Sequence, residues 1–146
     1  MKHFNLIILF LSIISLKSFA QIEKPTIIEI DKTVFTDELQ GSFYSNDKKA
    51  VLISYMSSEN FDKLVAELSN LGQTAENDIE TGYIDGTNIF FTSEIEERNG
   101  KKYLMFAFLK KVKNNLFINI SSGFPLKDKD IYYQVVIDAV KSAKVN

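Results

Sequence analysis

Ile89-Phe90-Phe91-Thr92-Ser93-Glu94-Ile95-Glu96-Glu97-Arg98-Asn99-Gly100-Lys101-Lys102-Tyr103-Leu104-Met105-Phe106-Ala107-Phe108-Leu109-Lys110 is the stretch on which the fold turns. Two β-prone runs flank Asn99-Gly100, the pair that most strongly signals a two-residue hairpin with a type I′ turn. The second run holds seven successive apolar residues, Tyr103 to Leu109. A strand with one wet face alternates apolar and polar residues, so an unbroken run suits a strand covered on both faces. The turn sets the register, with Arg98 opposite Lys101, Glu97 opposite Lys102, Ile95 opposite Leu104 and Ile89 opposite Lys110. Phe91, Leu104, Phe106 and Phe108 then share one face, while Phe90, Tyr103, Met105 and Leu109 share the other.

Charge is unevenly spread around this hairpin. Residues 21–97 hold 16 acids and 5 bases, whereas residues 98–146 hold 3 acids and 10 bases. Such a split can mark a nucleic-acid or membrane patch. The register offers a plainer cause, because the acidic arm folds back along the basic arm and opposite charges meet across strands. Lys102 and Lys110 fall at opposite ends of their strand, about 26 Å apart. No nucleic-acid partner is expected.

Upstream, Met1-Lys2-His3 precedes an apolar run from Phe4 to Leu16, and Ser18-Phe19-Ala20 offers small residues where a signal peptidase cuts. A run of thirteen residues falls short of the ~20 that a membrane span needs. Residues 1–20 are therefore expected to be a cleaved signal peptide and residues 21–146 a single domain, with no membrane span after cleavage. Cysteine is absent, and sixteen Lys stand against a single Arg. An exported, Cys-free, Lys-rich chain reads as a bacterial periplasmic or secreted protein.

Working outward from the hairpin, the pattern predicts strands over 26–30, 41–44 and 50–56, with Ser45-Asn46-Asp47-Lys48 as a polar turn. Ser57 or Ser58 is the expected cap of a helix whose Phe61, Leu64, Val65, Leu68 and Leu71 form one stripe, and Gly72 is its expected stop. Asp85-Gly86 predicts a second tight turn into Ile89, and Leu116 to Ser121 a strand ended by Gly123 and Pro125. A last helix is expected from Asp128 or Asp130, with Ile131, Val135, Ala139, Val140 and Ala143 inward. The expected fold is α+β, an antiparallel sheet of about six to seven strands with one helix on each face. A hairpin, a helix, an antiparallel meander and a closing helix ending Val140-Lys141-Ser142-Ala143-Lys144 together resemble the PsbP-like fold and its small bacterial relatives. That resemblance spans nearly all of residues 21–146 and implies accessory, adaptor or envelope roles without catalysis.

The residues themselves offer little chemistry. His3 is the sole histidine and falls in the leader, so residues 21–146 lack both His and Cys. Zinc sites and His- or Cys-based nucleophilic catalysis are thereby excluded for that region. Ser45-Asn46-Asp47-Lys48 has the Ser-x-x-Lys spacing but reads as a turn. Glu76, Asp78, Glu80 and Asp85, with Asn77 and Asn88, form an acidic region that is either a solvated edge or a calcium site. No cofactor is expected. The aromatic rows of the hairpin serve either as two core faces or, with one face partly open, as a groove for a lipid or peptide. Tyr132 and Tyr133 are adjacent on the last helix, so at least one lies off its buried stripe. Tyr132, Tyr133, Phe90 and Tyr103 are accordingly the candidate interface residues. The expected function is an exported non-catalytic accessory or adaptor module that binds another envelope protein. A carrier of a lipid or other apolar ligand, and an immunity-type inhibitor of a toxin, are the alternatives.

Overall fold

A computed structural model describes residues 26–39, 43–74, 79–113 and 115–145. The expected leader and Glu76 to Asp78 lie outside them. In chain order the elements are β1 (Thr26–Ile27), β2 (Asp37–Leu39), β3 (Phe43–Ser45), β4 (Val51–Ser57), α1 (Phe61–Thr74), β5 (Glu80–Ile84), β6 (Ile89–Arg98), β7 (Lys101–Lys113), β8 (Leu116–Pro125), a 3-10 turn (Leu126–Asp128), α2 (Lys129–Ser142) and β9 (Lys144–Val145). Seven strands form one antiparallel sheet in the order β2-β3-β4-β8-β7-β6-β5, and β1 pairs with β9 in a small second sheet. The class is α+β, as the sequence predicts.

The central hairpin keeps the expected register residue for residue, from Arg98↔Lys101 to Ile89↔Lys110. Asn99 and Gly100 adopt φ of 52° and 74°, the left-handed pair that a type I′ turn demands. Asp85 and Gly86 do the same at the β5–β6 turn, with φ of 54° and 80°. Alternation then divides the interior. Phe108 enters a cluster with Leu104, Phe106, Ile120, Phe124 and the α2 residues Tyr132, Val136 and Val140. Its neighbour Leu109 enters another with Phe90, Phe117 and the α1 residues Phe61, Leu64, Val65 and Leu68.

Five expectations are corrected. Helix α1 is capped by Asn60, not by Ser57 or Ser58: the Asn60 Oδ1 accepts from the Lys63 backbone N–H at 3.0 Å, and Ser57 is the buried end of β4. It also runs past Gly72 to Thr74. Strand β8 passes through Gly123 and ends at Pro125; a Cβ at Gly123 would lie 2.6 Å from Met105 Sδ, so the glycine makes room for the methionine and does not stop the strand. The buried stripe of α2 is Tyr132, Val136, Ile137, Ala139 and Val140, and Ile131 is 54% exposed. Lys144 is strand, not helix, because Lys144–Val145 pairs with Thr26–Ile27.

Candidate functional site

Three turns that are distant in sequence meet at one end of the sheet. Strand order places β4, β8 and β7 side by side, so the β3–β4 turn (Asp47–Lys49), the hairpin tip (Asn99–Lys102) and the β8–α2 junction (Pro125–Asp128) become neighbours. Val51 pairs with Gly123 and Gly123 with Met105, which sets a row of three side-chain positions across about 10 Å of sheet. Tyr103 lies one step nearer the hairpin tip on the same side. These residues floor a groove of about 530 Å³ rimmed by Lys49, Arg98 and Lys101. Lys49, Lys101 and Tyr103 also border a second groove of about 760 Å³, which adds Lys48, Lys102 and Lys127 together with Asp47 and Asp128. Both volumes fall within the ~300–1,000 Å³ typical of small-ligand sites.

The two grooves are thus bordered by six cations and two carboxylates, in a chain whose formal net charge is −2. Arg98 is committed locally: its guanidinium grips the Glu96 carboxylate through Nε and through Nη2 at 3.0 Å. Glu96 is almost wholly buried, and this contact raises the Arg98 pKa above its ordinary value. Lys49 is held by its own turn, where the Asn46 side chain accepts from the backbone N–H of Lys48 and Ala50 at 3.0 and 3.1 Å. That turn forces Lys49 to a φ of 64°, a region that lysine rarely adopts. A strained cation on the rim of both grooves is the kind of outlier found at working sites.

The charge reading from sequence needs revision here. Glu97 does face Lys102 across the hairpin, but Glu94 faces Met105, Glu96 faces Tyr103, and Arg98 faces Lys101. Cross-strand pairing therefore absorbs little of the basic excess at the tip. Lys110, at the other end of β7, is drawn off elsewhere: its Nζ donates to the carbonyls of Val140 and Lys141 at the C-terminus of α2. Burial lowers its pKa.

The four candidate interface residues separate. Phe90 and Tyr132 are core residues, each 2% exposed, Phe90 in the α1 cluster and Tyr132 in the α2 cluster. The Tyr132 hydroxyl accepts from Asn46 Nδ2 at 3.0 Å, which ties α2 to the β3–β4 turn. Tyr133 is 40% exposed, with Lys129 Nζ 5.5 Å above its ring. Tyr103 alone lines the grooves. Of the acidic region, Glu80 and Asp85 stand at opposite ends of the five-residue strand β5 and its turn, and Asp85 lies 3.6 Å from Lys141. Among the described residues no group of three acids or other ligands could hold a metal ion, and no helix is long and apolar enough to cross a membrane. The groove escaped the sequence because none of its turns predicts the others. Paired lysines at two of them (Lys48-Lys49 and Lys101-Lys102) were the available signal.

The side of the sheet that carries this floor holds one more anomaly. Tyr55 and Asn119 are direct cross-strand partners, both buried. Among the described residues, neither the Tyr55 hydroxyl nor either polar atom of the Asn119 amide has a hydrogen-bond partner, and the buried Thr92 hydroxyl on the same side has none. Burial and the nearby Glu59 raise the Tyr55 pKa, so its hydroxyl stays neutral.

No family model matches the sequence, and no curated protein does. Among solved structures, the fold is similar to that of LpqN of Mycobacterium tuberculosis, a protein described as involved in cell envelope biogenesis. The two superpose with a TM-score of 0.57 at 6% sequence identity over 83% of each chain. Identity this low carries the fold alone.

Proposed function

We propose that this chain is an exported, envelope-associated binding module without catalytic activity, and that its working surface is the basic groove at the hairpin end. In this reading residues 1–20 are removed on export and residues 21–146 form one layered domain with a helix on each face of the sheet, of the PsbP-like type. The split of neighbours Phe108 and Leu109 between the α2 and α1 clusters supports the layering. The envelope role of the LpqN-like neighbour supports the location.

One observation carries the functional reading. Lys48, Lys49, Lys101, Lys102 and Lys127 border an apolar floor, in a chain of acidic balance; Asp47 and Asp128 share that border, and Glu97 faces Lys102 across the hairpin. An excess of cations gathered on one surface fits an anionic partner. Tyr103 belongs to this surface; Tyr133, exposed on α2, supplies a separate aromatic contact.

The test is affinity capture from envelope extracts, comparing the wild type with Lys49→Glu/Lys101→Glu. Both lysines are exposed, so the double variant should keep its melting temperature within a few degrees. A specific partner retained by the wild type and lost by the variant, with retention weakening as salt rises, is the expected result. Equal capture by both proteins would remove the groove from the function.

A further inference from the structure

We propose that the groove holds a single-chain anionic amphiphile, its acidic head on Lys49 and Lys101 and its acyl chain along Val51, Met105 and Tyr103. This deepens the reading of an anion-binding envelope module and rests on it. Two features of the molecule select this class over a soluble anion or a neutral lipid.

The first is polarity, which changes along one direction. Cations stand at the hairpin tip and the β3–β4 turn, and the floor behind them is apolar. A free phosphate would use the rim and waste the floor, whereas a neutral chain would use the floor and waste the rim. The second is how the floor is made. Gly123 is a strand residue whose missing Cβ leaves the space that Met105 Sδ fills. Methionine is unbranched and polarizable, suited to lying against a chain of variable shape. At about 530 Å³ the groove suits one chain.

Methionine gives a direct readout. The chain contains Met1, Met56 and Met105. Met105 floors the groove, whereas Met56 packs against the α2 cluster and serves as an internal control. The full chain, exported from a bacterial host and labelled with methyl-13C methionine, is titrated below micelle concentration with lauroyl lysophosphatidylglycerol. Lauroyl lysophosphatidylcholine and glycerol 3-phosphate serve as comparisons. The Met105 methyl signal should shift saturably with the anionic lysolipid while Met56 stays in place. Lys49→Glu/Lys101→Glu should weaken this binding roughly tenfold or more, as loss of charge-assisted contacts does. The milder Lys49→Gln/Lys101→Gln should weaken it in the same direction if the double reversal perturbs the fold.

Several results would overturn the proposal. Equal response to the zwitterionic lysolipid would remove the charge selection. Response to glycerol 3-phosphate alone would make this a small-anion site. If lysolipid leaves Met105 unmoved while the charge variant still loses its captured partner, the amphiphile fails but the anion-binding reading stands, with an acidic protein segment as the occupant. If charge reversal changes neither measurement, both fail.

Discussion

The two clusters of this molecule are built to different standards. Among the described residues, the α2 cluster contains eighteen buried residues against seven in the α1 cluster, so most of their apolar burial lies with α2. The polar groups buried on the α2 side are also answered: Ser54 bonds Thr26, Ser122 donates to the Val51 carbonyl, and Tyr132 meets Asn46, all within 3.0 Å. Across the sheet, Tyr55, Thr92 and Asn119 have no such partners among the described residues, and Tyr55 and Asn119 stand in one cross-strand row with Leu109 of the α1 cluster. One side is finished as a core. The other combines the smaller α1 cluster at one end with a groove rimmed by Lys49, Arg98 and Lys101 at the other.

Truncating neighbours on β7 should expose the difference most strongly. Phe108→Ala should cost about 3–5 kcal/mol, the range for a fully buried aromatic in a dense core, and Leu109→Ala nearer 2 kcal/mol. Urea unfolding of the two variants measures both, and a Leu109→Ala loss equal to that of Phe108→Ala would erase the asymmetry. A subtler pair reverses sign. Tyr132→Phe takes the acceptor from one Asn46 amide N–H, the other still donating to the Val34 carbonyl, and should destabilise by about 1 kcal/mol, whereas Tyr55→Phe removes an unanswered hydroxyl and should be neutral or stabilising by up to about 1 kcal/mol. Melting temperatures of the two variants suffice. A destabilised Tyr55→Phe would mean that the hydroxyl is satisfied in solution.

What could be read from the sequence follows from how local each signal was. The Asn99-Gly100 turn fixes the register of twenty residues by itself, and the stripe of α1 has a single phase. Helix α2 is different, because Ile131, Tyr132, Tyr133, Val135, Val136 and Ile137 fill two helical phases at once. The Tyr132–Asn46 bond, spanning 86 positions, joins the phase that wins, and no local pattern could show it. The β1–β9 pairing and the adjacency of β4 to β8 are equally non-local. The site depends on that adjacency, so its residues were visible only as scattered lysines and as Tyr103.

A titration sharpens the comparison further. Glu94 continues the row Val51–Gly123–Met105 across to β6, on the groove side, and burial together with nearby Glu96 pushes its pKa from 4.5 up to about 7. The folded state holds this proton more tightly than the unfolded state does. Its contribution is therefore most favourable below about pH 4.5, declines as the unfolded chain ionises first, and levels off above about pH 7. Because the carboxyl is only partly buried, the penalty at high pH is on the order of 1 kcal/mol after screening. Glu94→Gln should consequently raise the melting temperature by a few degrees at pH 8 and leave it unchanged at pH 4.5. Measured across that range, the difference between wild type and variant should grow from near zero to its plateau with a midpoint between the two pKa values. A difference independent of pH would show that Glu94 is ionised in the native state throughout, and that this side of the sheet is wetter than its burial implies.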